Sequence, residues 1–100
     1  MKHKEFSERC RLAVKSVPRG RVTTYAAIAR ALHSRAYRAV GTAMRNNRDP
    51  SVPCHRVVRS DGMVGGYNRG KETKVRILRG EGIKVVDGRI DLTVYAFKPL

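Results

Sequence analysis

Apolar residues recur at helical spacing through the first half of the chain, and this periodicity limits the possible folds more than any other feature. Phe6, Cys10 and Val14 stand four residues apart, so they share one face of a helix predicted from about His3 to Ser16. The helix should stop at the turn-forming stretch from Pro18 to Gly20. On this pattern Cys10 belongs to the core.

Two further helices are predicted in the next segment. A short extended piece from Arg21 to Tyr25 should place Thr23 or Thr24 as the N-cap of a helix that ends near Leu32. After a break in the pattern, a third helix is expected from about Arg35 to Arg45.

The third helix carries an arginine stripe opposite its apolar side. Two short helices joined by a tight turn, the second one cationic, form what a helix-turn-helix needs. An ordinary solvated face is the alternative, but no acid balances the stripe, and small residues beside it permit close approach to a DNA groove. The residues expected to contact DNA are Arg35, Arg38, Ala39, Gly41, Thr42 and Arg45.

The charge balance points to a polyanionic partner. The chain has 22 Lys and Arg against 8 Asp and Glu, a net charge of +14, and folding alone does not need such an excess. Nucleic acid is the leading candidate. An anionic membrane surface is the second, but no long basic amphipathic pattern supports it, and no apolar run is long enough to span a membrane or to form a secretory h-region. We expect a cytoplasmic protein.

The second half reads as hairpins and one helix. Segments from Arg56 to Arg59 and from Met63 to Gly65 flank a turn, which predicts a hairpin in the position of a wing. A helix is expected from about Lys71 to Arg79, and a second hairpin around Asp87 and Gly88. The fold class is therefore mainly α, a winged helix-turn-helix with short β-hairpins, in a single domain over residues 1–100.

Cys54 has neighbours that suit an activated thiol. The thiolate is the reactive species, and an ordinary thiol with a pKa of about 8.5 is mostly protonated at neutral pH. His55 is a candidate base, and Arg56 a candidate source of positive potential that favours the anion. A buried, inert cysteine is the alternative. The two cysteines lack metal-ligand spacing, so we expect neither a zinc ion nor another cofactor.

Several separated motifs together resemble the C-terminal domain of the O6-alkylguanine-DNA alkyltransferases, over roughly Phe6 to Val85. They occur in the family's order and at nearly its spacing, which a lone Pro-Cys-His-Arg would not establish. The resemblance implies direct-reversal DNA repair, in which the protein flips an alkylated guanine out of duplex DNA and accepts its O6 alkyl group irreversibly. We expect a monomer, because a single-base lesion needs no two-fold symmetry. The motifs are Val22–Ala29, Tyr37–Asn47, Pro53–Val58, Asp61–Tyr67 and Lys74–Glu81.

The resemblance also implies residue roles. Cys54 would be the acceptor, and His55 would relay its proton through a water. Glu81 would orient His55, in the manner of a serine triad rebuilt around sulfur. Tyr25 would donate a proton to guanine N3 as the base leaves, and Asn47 would brace the loop. Arg38 would fill the gap left in the base stack. The backbone around Val57 would line the substrate pocket together with Tyr67, Asn68 and Arg69, and Lys74 would support it.

Three departures from the family pattern and two rival functions are open at this stage. Most members carry an N-terminal domain that this sequence lacks, the loop from Asn47 to Cys54 is about one residue shorter, and Arg69 replaces a small residue, which disfavours bulky adducts. Alkyltransferase-like sensors bind damage without transfer, but they typically have tryptophan at the cysteine position, and this chain has no Trp. A winged-helix regulator would use Cys54 as a redox sensor or as core.

Overall fold

The computed structural model describes residues 3–98, which form five α-helices and a parallel two-stranded sheet within that range. None of the helices there is both long and apolar enough to cross a membrane. In chain order the elements are α1 (His3–Lys15), β1 (Thr23–Thr24), α2 (Tyr25–Ala31), α3 (Tyr37–Arg45), β2 (Val57–Val58), α4 (Lys71–Gly80) and α5 (Leu92–Tyr95).

Two apolar clusters form the core. The first joins α1, α2 and α3, and Cys10 and Val14 are fully buried in it, as the helical spacing predicted. The second lies against α4 and contains Val58 and Leu78. The two strands and the single turn of 3₁₀ helix before β2, Cys54–Arg56, run between the clusters. This turn is therefore held on both sides.

The helix-turn-helix forms as predicted, with one change at its centre. Thr24 is the N-cap of α2, and its hydroxyl accepts a hydrogen bond from the Ala27 N–H at 3.0 Å. The third helix begins at Tyr37, not at Arg35, because the Ser34 hydroxyl accepts from the Ala36 N–H and holds the preceding residues in a turn. Arg35 therefore lies on the turn.

The predicted wing hairpin is wrong in its strand pairing. β2 pairs in parallel with β1, with Val57 opposite Thr23, and not with the segment from Met63. The turn itself is present, since the Arg59 N–H donates to the Met63 carbonyl at 2.9 Å. Burial decides the outcome, because Val57 is fully buried and fits a central strand better than an exposed hairpin edge.

The C-terminal hairpin is confirmed at its turn and wrong at its end. Val86 and Arg89 pair around Asp87 and Gly88, which both have positive φ angles of 52° and 73°, as a two-residue hairpin turn requires. The expected strand does not continue, because the side chain of Asp91 accepts from the Thr93 N–H and caps α5.

Candidate active site and DNA-facing surface

The fold places Cys54 at the start of the 3₁₀ turn. Its N–H donates to the Val52 carbonyl at 2.8 Å, which closes the loop after α3 tightly against the core. The residue is 7% exposed, so the thiol is shielded from bulk solvent yet borders open cavities on two sides.

A carboxylate network lies beside the thiol. His55 Nε2 is 2.8 Å from Glu81 Oε2, and Arg56 grips both carboxylate oxygens, with Nε 3.0 Å from Oε1 and Nη2 2.9 Å from Oε2. Arg56 Nη1 also donates to the Val17 carbonyl at 2.9 Å, and the Gly20 N–H donates to Glu81 Oε1 at 3.4 Å. The predicted His55–Glu81 pair is thus in contact.

The network sets the ionisation of both partners. Burial alone would raise the Glu81 pKa, but hydrogen bonds from Arg56 and His55 outweigh it and bring the pKa to about 2. The His55 pKa is lowered, first by burial and then by the nearby charges of Arg56 and Lys74, against the opposing effect of Glu81. His55 is therefore neutral at physiological pH, with Nε2 donating to Glu81 and Nδ1 left as a proton acceptor.

Asn47 braces the loop that carries the cysteine. Its Nδ2 donates to the Asp49 carbonyl at 3.0 Å and lies 3.9 Å from the Cys54 sulfur, while its Oδ1 accepts from the Asp49 N–H. Asn68 Nδ2 donates to the Asn47 carbonyl at 3.1 Å. The glycine-rich segment from Gly65 to Gly70 is therefore tied to the loop that precedes Cys54.

Tyr25 stands at the first position of α2 with its ring in the cavity beside Cys54. Its pKa is raised, mainly by burial and further by Cys54. The phenol therefore keeps its proton at neutral pH and can act as a hydrogen-bond donor.

Lys74 lies in the interior of the protein, next to the Tyr25 ring. It is fully buried, and its ammonium group donates to the backbone carbonyls of Val57, Val64 and Gly66. The Nζ atom lies 5.8 Å from the centroid of the Tyr25 ring. Burial lowers the Lys74 pKa to about 8. The charged group of Lys74 thus contacts β2 and the glycine-rich segment and lies near the Tyr25 ring.

Two cavities meet at Cys54, Tyr67 and Asn68. The first, of about 750 Å³, opens along α3 and is here called the α3 cavity. The second, of about 710 Å³, lies against the loop from Arg48 to Pro53 and is here called the loop cavity. The α3 cavity is lined by Tyr25, Tyr37, Arg38, Gly41, Thr42, Met44, Arg45, Cys54, Arg59, Gly65, Gly66, Tyr67 and Asn68.

The predicted DNA-contacting residues divide between the cavity rim and its surroundings. Arg38 and Arg45 are exposed and line the α3 cavity, with Thr42 between them. Arg35 is exposed on the turn and Ala39 is half-buried, and neither borders that cavity. Gly41 does, and a Cβ added there would lie 4.0 Å from the Tyr25 ring.

The predicted substrate-pocket residues are likewise split. Tyr67 and Asn68 line both cavities, whereas Arg69 lines only the loop cavity. The Val57 side chain is fully buried and lines neither cavity. Tyr67 has a raised pKa because of burial and the proximity of Cys54, and the nearby Arg69 opposes this shift.

Sequence reasoning missed two features of the site. Arg59 lines the α3 cavity although it follows a buried strand, and no spacing pattern marked it. Arg56 donates hydrogen bonds to the Glu81 carboxylate, whereas its position in the sequence suggested that its charge would favour the Cys54 thiolate. Across residues 3–98, no group of three His, Cys, Asp or Glu side chains could hold a metal ion.

Comparison with known proteins identifies the family. The sequence model of one protein family, the DNA-binding domain of 6-O-methylguanine DNA methyltransferase, matches residues 5–83. The chain belongs to this family. The motif-based resemblance and the mainly helical fold class are therefore confirmed.

Two curated relatives share this domain. A methylated-DNA–protein-cysteine methyltransferase of Methanothermobacter thermautotrophicus is 40% identical over 81 residues, which are 81% of this chain and 46% of that protein. A bifunctional methyltransferase/endonuclease of Picrophilus torridus is 47% identical over 83 residues, 28% of its length. The chain thus spans less than half of the length of each of these two relatives.

Solved structures of two kinds match the fold. S. pombe Atl1, in complex with damaged DNA containing O6-carboxymethylguanine, has a TM-score of 0.90 at 30% identity, covering 99% of this chain and 100% of that one. Mycobacterium tuberculosis OGT in complex with DNA has a TM-score of 0.74 at 34% identity, covering 78% and 49%.

Proposed function

We propose that this protein repairs DNA directly, by transferring an alkyl group from O6 of guanine in duplex DNA to Cys54, once per molecule. One observation carries the proposal: Cys54 stands where two cavities meet, next to a neutral histidine that is held by a buried carboxylate. A core cysteine would need neither the cavities nor the base.

The DNA would be bound along α3. Arg38 and Arg45 supply positive charge at the mouth of the α3 cavity, and the net charge of +14 favours a polyanion. The damaged guanine would leave the stack and enter this cavity, which reaches Cys54. Arg38 would occupy the vacated space and offset part of the cost of unstacking.

The transfer would be a displacement at the alkyl carbon. The Cys54 proton passes to Nδ1 of His55 through a water, and the thiolate attacks the carbon, so that an S–C bond forms as the C–O bond breaks. Tyr25 donates to guanine N3 while negative charge develops on the leaving base. Tyr25 gives its proton to guanine and regains one through solvent from the His55 imidazolium, so the thiol proton is delivered to guanine in net terms, which leaves S-alkylcysteine and unmodified guanine.

Recognition of damage without transfer is the second candidate. It is favoured by the match to S. pombe Atl1, which extends over 99% of this chain with a TM-score of 0.90. The presence of Cys54 beside His55 and Glu81 supports transfer instead, because binding alone needs no proton acceptor.

The experiment that separates the candidates measures the lesion itself. A duplex containing O6-methylguanine is incubated with increasing amounts of protein, and the remaining O6-methylguanine is quantified by chromatography of the hydrolysed DNA. We expect one lesion to be lost per wild-type protein and none with Cys54→Ser, while both proteins bind the duplex. Binding by the wild type without any loss of the lesion would favour the sensor.

A further inference from the structure

The guanidinium group of Arg56 is committed to the carboxylate of Glu81. It contacts both oxygens, at 3.0 and 2.9 Å, and its third nitrogen is anchored on the Val17 carbonyl at 2.9 Å. Arg56 is 16% exposed at its side chain and Glu81 is 6% exposed. This fork fixes the plane of the carboxylate and leaves Oε2 2.8 Å from His55 Nε2.

A proton acceptor beside a carboxylate faces a conflict. The carboxylate orients the imidazole and fixes its tautomer, but its negative charge also favours the protonated imidazolium, which cannot accept a second proton. A guanidinium on the same carboxylate offsets that charge and keeps its orienting hydrogen bond.

We infer that Arg56 is a positioning residue for the base: it aims the Glu81 carboxylate at His55 and offsets its charge, so that His55 remains neutral at physiological pH. The effect passes through Glu81 and does not involve contact with the substrate. This role is distinct from the positive potential on the thiol that the sequence order suggests.

The other charged groups near His55 act in known directions. Burial has the largest effect on His55 and disfavours the imidazolium; Glu81 favours it, whereas Arg56 and Lys74 both disfavour it. Cys54 adjoins His55 in the chain. Removal of the Arg56 charge should therefore leave the negative charge of Glu81 less offset, which makes His55 easier to protonate. Removal of the Glu81 charge should do the opposite.

The test is the titration of the His55 ring, followed by NMR in Arg56→Gln and in the wild type. Gln keeps a hydrogen-bond donor but has no charge. We expect the His55 midpoint to move to higher pH by more than about half a unit in Arg56→Gln and to move to lower pH in Glu81→Gln. Arg19→Gln is the matched control, because Arg19 contacts the adjacent Gly80 carbonyl and not the carboxylate. The exposed His33 serves as an internal reference.

Single-turnover transfer rates give the second readout, which rests on the proposed function, whereas the NMR titration does not. In Arg56→Gln the rate should fall near pH 7 and recover at higher pH, with Arg56→Lys nearer to the wild type because it restores the charge. An unchanged His55 midpoint, or an equal loss of rate at every pH, would overturn the inference. If Arg56→Gln does not fold, the midpoint in Arg56→Lys decides: a wild-type midpoint supports charge offset, and an upward shift as large as that predicted for Arg56→Gln contradicts it.

Discussion

His55 Nε2 lies 2.8 Å from Glu81 Oε2, although 26 positions separate the two residues in the chain. Glu81 caps the C-terminal end of α4, where the helix dipole disfavours a negative charge. The carboxylate is stable there because Arg56, His55 and the Gly20 N–H all point at it. Its position therefore joins the end of α4 to the turn that carries Cys54.

The buried carboxylate should make stability depend on acid pH. The Glu81 pKa is lowered from 4.5 to about 2, so its stabilising contribution is complete above the unfolded value and is lost as the pH falls through the folded one. We expect the wild type to lose about 2 kcal/mol from this group between about pH 5 and pH 2. Denaturant unfolding as a function of pH measures this, with Glu81→Gln as the reference variant, whose curve should lack that loss. Parallel curves for the two proteins would contradict the prediction.

Two adjacent threonines should respond in opposite ways to the same substitution. The Thr23 hydroxyl is buried and has no hydrogen-bond partner among residues 3–98, so Thr23→Val should stabilise the fold by about 1 kcal/mol. The Thr24 hydroxyl caps α2, so Thr24→Val should destabilise it by about 1 kcal/mol. Urea unfolding of both variants measures the difference. Changes of the same sign would count against the assignment.

Lys74 should be far more important for stability than its neighbour at the start of the same helix. Lys74→Met would remove the ammonium donor from three backbone carbonyl groups, those of Val57 and Val64 in buried hydrogen bonds and that of Gly66 in a half-buried one, and we expect a loss of about 3 kcal/mol. Lys71 is exposed, so Lys71→Met should change stability by less than about 0.5 kcal/mol. Thermal and denaturant unfolding compare the two, and similar effects would be inconsistent with the buried ammonium.

Arg38 should matter more for the lesion than for DNA in general. It lines the mouth of the α3 cavity, whereas Arg35 is exposed on the turn outside it. In Arg38→Ala, the affinity ratio between lesion-containing and undamaged duplex should fall by at least about fivefold. Arg35→Ala should weaken both affinities alike and reduce the salt slope by about 0.9. The salt dependence of binding to both duplexes tests this, and an equal loss of both affinities in Arg38→Ala would remove its stack-filling role.

Local periodicity predicted the helices well. The apolar stripe through Cys10 and Val14 placed α1 within one residue of its observed end. The helix predicted from about Arg35 ends at Arg45 as observed but starts two residues before α3 does. These patterns succeed because one buried face repeats along a helix. The start of α3 differed because the Ser34 hydroxyl competes for a backbone N–H, which periodicity does not report.

Contacts between distant segments were not predictable in the same way. The hairpin rules compare neighbouring segments, so they paired the strand at Val57 with the wrong partner and not with Thr23. The contact of His55 with Glu81 came from the family resemblance and not from spacing. The grip of Arg56 on Glu81 depends on how α4 packs against the 3₁₀ turn, and only the folded structure contains that information.

The most direct test of the central claim locates the transferred group. Wild-type protein is incubated with duplex DNA containing O6-methylguanine, digested, and analysed by tandem mass spectrometry. We expect one methyl group on Cys54, up to one per protein molecule, and none on the core residue Cys10, which is fully buried. An unmodified Cys54 in protein that has demonstrably bound the lesion, or a methyl group on another residue, would contradict the account.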